Sequence, residues 1–406
     1  MRTPMSQICD TNLIFPQRTR HTTKRKFPLL CSETQLFNTF YRGVFMNKTA
    51  IALMIGATLT APVANADVEL LGKAVVLYGK LHGSIDYYDR GAATIAITDP
   101  KGIEITSNSS RIGFKGEKEL VSGLKGVWKL ESEIDVSGES GALAARNRYV
   151  GLGGVWGTVL IGIHDTPLKE ILGYTMFGDT VGDSRSILGQ VSSNDNQFNQ
   201  RAKSMVKYEI KAAGFTGELM YSPDFEDQND PDTSPTGINN SLTGVGLAYK
   251  IGGFDVGAAY EKQKNIDNTV GKDASGVRVG VKYKIGGLQV GGVYETLKDD
   301  GYGVRIARNA YGANVAYTVA NFTFGGQYLK AMESDLAAGS DGADQYTLGV
   351  TYSFGKDLQI YLVHAALKNE TNGSFQLARS GHGQAYAPTQ AGEKVQATSI
   401  GVVYNF

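Results

Sequence analysis

The feature that most constrains this chain is strict alternation. At the C-terminus Ile400, Val402, Tyr404 and Phe406 fall on one face, with Gly401, Val403 and Asn405 on the other. In Val245-Gly246-Leu247-Ala248-Tyr249-Lys250 large apolar residues again alternate with small or charged ones. In Lys125-Gly126-Val127-Trp128-Lys129-Leu130-Glu131, Trp128 and Leu130 oppose Lys125, Lys129 and Glu131. A period of two places successive side chains on opposite sides of an extended backbone, giving strands with one apolar and one polar face. From residue 67 onward no run of about 18 apolar residues could cross a bilayer as a helix, and no helical period is sustained. The expected class is all-β.

The strands recur at a fixed spacing. Tyr249-Lys250-Ile251-Gly252-Gly253-Phe254 is echoed by Tyr283-Lys284-Ile285-Gly286-Gly287-Leu288, then by Tyr317-Thr318-Val319-Ala320-Asn321-Phe322 and Tyr352-Ser353-Phe354-Gly355-Lys356-Asp357-Leu358. These tyrosines lie 34, 34 and 35 residues apart. Each unit reads strand, tight turn, strand, then a longer polar loop such as 264–275 or 333–344. A propeller blade would need about four strands in 40–50 residues, whereas each unit here has room for two. Tight turns at one end and long loops at the other are the layout of an outer-membrane barrel. Of the 51 glycines only Gly43 and Gly56 precede residue 67, and glycine in a wall permits close approach and bending. A soluble β-sandwich would hide its large residues between two sheets and gives no reason for a terminal aromatic after an alternating strand.

The first 66 residues follow another logic. Met46-Asn47-Lys48, an apolar small-residue run from Ala50 to about Ala61, and Ala64-Asn65-Ala66 have the order of a secretory signal peptide over 46–66, cleaved after Ala66. Residues 1–45, with the basic stretch Lys24-Arg25-Lys26, do not fit such a signal. The expectation is a start codon called too early, the alternative a basic interaction arm; neither is part of the mature fold, residues 67–406. Both cysteines, Cys9 and Cys31, lie upstream of Met46, so that fold contains no disulfide. The first 66 residues hold eight of the 40 Lys/Arg and two of the 40 Asp/Glu, leaving a net charge of −6 on the remainder. That balance gives no support to nucleic-acid binding.

Several segments resemble the Gram-negative general porins of the neisserial and β-proteobacterial type. Val75-Val76-Leu77-Tyr78-Gly79-Lys80 is similar to their opening strand, and Ser109-Ser110-Arg111-Ile112-Gly113-Phe114-Lys115-Gly116 to their second-strand signature. Arg148-Tyr149-Val150-Gly151-Leu152 with Trp156-Gly157-Thr158-Val159 resembles the fourth-strand hairpin. Asp165-Thr166-Pro167-Leu168-Lys169 and Asp183-Ser184-Arg185-Ser186 resemble the two legs of their third loop. Arg201 to Tyr208 is similar to the strand after it, and Tyr404-Asn405-Phe406 to the closing strand. The chain departs from the pattern at Ile163-His164, where relatives carry Arg, and at Glu209-Ile210-Lys211, where they carry Ser-Pro.

The resemblance implies a transmembrane antiparallel β-barrel of 16 strands, a homotrimer, and a third loop folded into the lumen. It also implies contact with outer-membrane lipid and lipopolysaccharide, and a C-terminal strand ending at Phe406 that the barrel assembly machinery reads. The implied function is passive diffusion of ions and small hydrophilic solutes through a water-filled channel, with no cofactor. Roughly 21 residues per strand and connection leave ample loops beyond the 9–11 that cross the hydrocarbon, and a 16-stranded barrel keeps an aqueous bore.

The waist of such a channel is set by charge. Arg111 and Lys115 share a parity opposite Ile112 and Phe114, Arg146 and Arg148 share one opposite Tyr149, and Arg201 and Lys203 begin the strand after the third loop. From the resemblance, Arg111, Arg146 and Arg201, with Arg148 and Lys115, are expected to form a basic wall. Asp165, Glu170, Asp179 and Asp183 are the expected facing acids. Opposed rows of fixed charge give a transverse field that selects ions and disfavours apolar solutes.

Other functions find less support. The four histidines after residue 66 (His82, His164, His364, His382) form no metal-ligand or nucleophile motif, so neither a metal site nor an enzyme is expected. A surface-recognition barrel is the competing reading, motivated by the long stretches 224–240 and 373–393.

Overall fold

The computed structural model describes residues 67–138, 141, 143–193, 197–226, 240–301, 305–336 and 339–406. The expected signal, its Ala66 cleavage site, residues 1–45 and most of the 224–240 loop lie outside these.

The described residues form a single antiparallel sheet closed on itself. A two-residue strand β1 (Val68–Glu69) pairs with the start of β2 (Val76–Asp89). The strands β3 (Lys101–Ser107) and β4 (Arg111–Val121) both pair with β2, over Gly83–Asp89 and Val76–Lys80. They are therefore one wall strand interrupted at Asn108-Ser109-Ser110. The rest follow as β5 (Leu124–Glu133), β6 (Ala144–Gly154), β7 (Gly157–Asp165), β8 (Arg201–Ala212), β9 (Phe215–Ser222), β10 (Leu242–Ile251), β11 (Phe254–Gln263) and β12 (Ala274–Ile285). The ring is completed by β13 (Leu288–Asp299), β14 (Ile306–Val319), β15 (Phe322–Ala331), β16 (Ala343–Ser353), β17 (Leu358–Asn369) and β18 (Lys394–Asn405), and β18 pairs with β2. Counting β3 and β4 as one and leaving aside β1, the wall has 16 strands, as expected. Phe406 seals it: its N–H donates to Gly79 O and its carbonyl accepts from Gly79 N, at 3.1 and 2.7 Å.

The 34-residue repeats are the hairpins β10/β11 to β16/β17. Their turns are as tight as the sequence implies. Gly252 and Gly286 sit at φ 58° and 55°, the left-handed region that two-residue hairpin turns require. The alternation sorts the wall into two faces. On β12, Val277, Val279 and Val281 are exposed outward while Gly276, Arg278 and Gly280 are buried on the other side.

What buries the inward face is the connection between β7 and β8. Residues 166–200 begin with a one-turn helix (Pro167–Glu170), capped by the Thr166 side chain on Lys169 N. The connection runs along the polar face of the wall. Arg278 donates to Leu168 O, Asn314 to Tyr174 O, and Gln327 and Gln345 to Gly182 O, at 2.9, 2.9, 3.2 and 3.0 Å. It returns through Gly189 N to Glu295, Arg308 to Val191 O and Gln263 to Gln197 O, at 2.8, 2.6 and 3.0 Å. Wall glycines make room for its aromatic side chains: Tyr174 lies where a Cβ on Gly257 or Gly280 would stand, and Phe177 where one on Gly349 would. This gives much of the strand glycine a purpose.

The 370–393 loop also turns inward. Phe375, Leu377, Ala378 and Tyr386 are buried in one cluster with Val181, Ile187 and Leu188 of the 166–200 connection. It is thus not the free surface loop that the recognition reading required.

Gly280→Val tests the packing. Its added carbon atoms collide with the Tyr174 ring, so overpacking should cost about 1–3 kcal/mol. We expect a lower urea midpoint and a higher single-channel conductance as the loop lifts. Unchanged values would show that Tyr174 does not hold the loop to β12.

Candidate functional site

A local irregularity decides which arginines face inward. Between β5 and β6, Leu130 lies opposite Arg148 but Ser132 lies opposite Ala145, so Glu131 confronts both Arg146 and Asn147. Such a bulge adds one residue to one strand and reverses the parity beyond it. Arg146 therefore joins the polar face. Arg148, in register with Leu130 and Ile163, joins the apolar one, contrary to the expectation that the two share a face. Arg148 donates to Glu131 O at 3.1 Å and to Ser132 Oγ at 2.7 Å.

Glu131, nearly inaccessible, is the centre of the wall cluster. It accepts from Arg146 Nε at 2.7 Å and Tyr78 OH at 2.8 Å, with Lys129 Nζ at 3.4 Å and Arg111 Nε at 3.8 Å. Arg146 also reaches Glu133 at 2.8 Å. Arg111 and Arg146 are thus matched by wall carboxylates, not by the loop acids expected to face them. Lys115 lies further toward the short-turn end, paired with Asp67 and over the Tyr78 ring, away from the 166–200 connection.

The expected acids find partners of their own. Asp165, at the end of β7, binds Lys169 at 2.7 Å, Asn147 at 3.0 Å and Arg201 at 3.3 Å, so the predicted Arg201 is brought to a predicted carboxylate. Asp179 bridges Lys80 of β2 and Arg185, at 2.8 and 2.7 Å, and Asp183 binds Arg185 at 2.6 Å. Glu170 meets Lys207 at 2.7 Å, and Lys207 also faces Glu218 at 3.3 Å. Lys80, Lys169, Arg185 and Lys207 were missed as site residues, although all four fall inside segments that carried the resemblance. Lys80 shares its parity with Tyr78, which could have found it.

Burial disfavours the charged forms of Asp179 and Lys169, and the pairing offsets it to different degrees. For Asp179, Lys80 and Arg185 overcome burial and hold the carboxyl well below the usual range. For Lys169, burial wins over Asp165 and pushes the ammonium down to about 8. Arg278 with Glu295 (2.7 Å) and Arg308 with Asp341 (2.7 Å) are buried braces beneath the connection. His164 Nδ1 contacts the Asp165 carbonyl, not its carboxylate, so the pair has no dyad geometry. Among the described residues no His, Cys, Asp and Glu cluster has the makings of a metal site.

The site is thus a closed, polar-lined ring of strands with ion pairs between its inward face and the 166–200 connection. A profile described as Gram-negative porin matches residues 49–372. The chain belongs to the Gram-negative porin family. The major outer membrane protein P.IB of Neisseria gonorrhoeae is 31% identical over 211 residues, 52% of this chain and 55% of the relative. That of Neisseria lactamica is 30% identical over 221 residues, 52% of this chain and 57% of the relative. This porin thus spans little more than half the length of the curated relatives it matches. In fold it is similar to the anion-selective porin from Comamonas acidovorans, with TM-score 0.70 and 23% identity over 82% of this chain and 99% of that one. It also resembles OmpT of Vibrio cholerae in its trimer form, with TM-score 0.62 and 19% identity over 82% and 99% of the two chains. The family and its named relatives place this porin in the outer membrane.

Lys169 yields a pH prediction. Its native pKa lies below the ordinary lysine value, so between about 8 and 10.5 the folded form binds fewer protons than the unfolded one, and stability rises slightly with pH there. Over the same interval the cluster around Asp165 loses a positive charge. The reversal potential in a salt gradient should move toward cations between pH 7 and pH 9, and Lys169→Gln should abolish that movement. A shift that persists in the variant would assign it to another group.

Proposed function

We propose that this porin is a general diffusion channel, passing ions and small hydrophilic solutes through a bore narrowed by residues 166–200. The observation that carries the reading is the ring of ion pairs on the polar face, level with that connection. Three bases (Arg111, Lys129, Arg146) surround Glu131, with Glu133 beyond, and Lys169 and Arg201 share Asp165. Those two clusters leave a basic excess, whereas Lys207 stands between the two acids Glu170 and Glu218. A small net positive field at the waist favours anions modestly. Dense pairing holds water and disfavours apolar solutes without a binding pocket for one substrate, which is the property of a sieve. A family of channels and the absence of a catalytic arrangement among the described residues both speak against an enzyme.

The outer face supports a homotrimer. Exposed tyrosines stand near the loop ends of β9, β11, β13, β14 and β16, at Tyr221, Tyr260, Tyr294, Tyr311 and Tyr346. Such belts sit at the membrane–water boundary. Over β18 and β2 to β7 the exposed residues are mainly aliphatic, such as Ile400, Ile85, Ile103, Ile105, Val150 and Ile161, with Tyr87, Phe114 and Tyr404 the aromatic exceptions. Arg148 projects into this arc, where a charge suits a subunit interface better than hydrocarbon. Contact with lipopolysaccharide and reading of the Phe406 strand by the assembly machinery are further parts of the proposal.

In planar bilayers the purified protein should insert with conductance steps grouped in threes and a reversal potential modestly on the anion side. Arg201→Ala, which leaves Asp165 with one base fewer, should move that potential toward cations. A folded barrel that conducts nothing would overturn the channel reading, and an Arg201→Ala channel with unaltered selectivity would remove Arg201 from the waist.

A further inference from the structure

The 370–393 loop carries more structure than a diffusion channel needs. Asn369 pins its base, accepting from Phe375 N at 2.7 Å and donating to Phe375 O at 3.1 Å. Leu377 and Tyr386 exchange backbone hydrogen bonds of 3.0 and 2.8 Å, closing residues 378–385 into a tip.

That tip is docked at both ends of its span. On the β2–β4 side, His382 Nε2 lies 2.9 Å from Asp86 Oδ2, both side chains being fully buried. Tyr386 OH donates to the same oxygen at 3.1 Å, alongside the wall's own Thr106 (3.0 Å) and Ser84 (3.3 Å) hydroxyls. Gly383 N donates to Asn108 Oδ1 and Ser109 Oγ to Gly381 O, each at 2.9 Å. These contacts fall where the wall strand is interrupted between β3 and β4, and Ser109 there adopts φ 50°. On the other side, Ala378 N donates to Ser186 Oγ at 3.0 Å, next to Arg185 and hence to the Asp179–Lys80 tether.

We propose that residues 378–386 are a second constriction element, a strap joining the β2–β4 wall to the 166–200 connection and setting the conducting cross-section with it. The inference rests on the channel reading above. Asp86 is the positioning residue. A buried carboxylate needs its donors, and without the strap it keeps only hydroxyls from the wall. The break at Asn108–Ser110 frees polar groups from the ladder to receive the tip.

Single-channel recording separates this proposal from the channel reading itself. The double variant Asp86→Asn, Tyr386→Phe loosens the tip, and we expect conductance to rise about twofold with added current noise, since pore cross-section limits flux. Ser186→Cys with Ala378→Cys provides a lock. The intact protein has no cysteine in residues 67–406, so one disulfide should form there without a competitor from the barrel, and the 3.0 Å contact puts the Cα atoms within bridging range. In the loosened background, oxidation should lower conductance by the same factor and reduction restore it. Loosened channels that fold and conduct like the wild type would overturn the strap while leaving the channel reading intact. So would failure of the cysteine pair to cross-link in folded protein. A wild-type protein that conducts nothing would overturn both.

Discussion

Hydrocarbon offers a backbone nothing to hydrogen-bond to, and the rest of this structure depends on that fact. An open sheet would leave an edge unpaired at a cost of several kcal/mol per group. The chain meets the constraint by closing β18 onto β2, with Phe406 and Gly79 exchanging the last backbone bonds. Closure in turn fixes where each kind of side chain goes. A strand with one apolar and one polar face has a single orientation in such a ring, so the polar face, which carries most of the charged residues, lines the interior. Sixteen strands then enclose more space than their own side chains can fill, and the 166–200 connection occupies part of the remainder.

Filling that space is itself a physical problem, because the connection brings polar backbone into a confined interior. It is solved in two ways. Wall side chains (Arg278, Glu295, Arg308, Asn314, Gln327, Gln345) satisfy its carbonyls and N–H groups. Wall glycines admit its rings without strain. Charged residues add support of their own: Lys80 and Arg185 fix the Asp179 turn. Departures from the regular ladder turn polar side chains to particular partners. The β5/β6 bulge turns Arg146 and Asn147 to the same centre. The β3/β4 break presents Asn108 and Ser109 to the tip of the 370–393 loop.

Much of this was legible in the sequence. Alternation and the 34-residue period identify the barrel and four of its hairpins because both are local properties of an extended chain. The resemblance supplied the strand number and the third loop. What it could not supply was pairing. Arg148 shares parity with Arg146 in the sequence, and only the bulge, a relation between two strands, separates them. Arg111 and Arg146 were matched to loop acids, whereas their partners Glu131 and Glu133 sit on the neighbouring strand, where register decides contact. The inward turn of the 370–393 loop was hidden for a similar reason. Its anchors, Asp86 and Ser186, are 296 and 192 residues before His382 and Ala378, and no periodicity links such distant positions.

The proposed channel is a wet, unspecific bore of limited width. It is tested most directly by the swelling of liposomes carrying the wild-type protein in neutral sugars of increasing size. Swelling rates should fall smoothly from mono- to tetrasaccharides and rise linearly with sugar concentration. Absence of swelling, or saturable uptake of one sugar with exclusion of others of equal size, would contradict it.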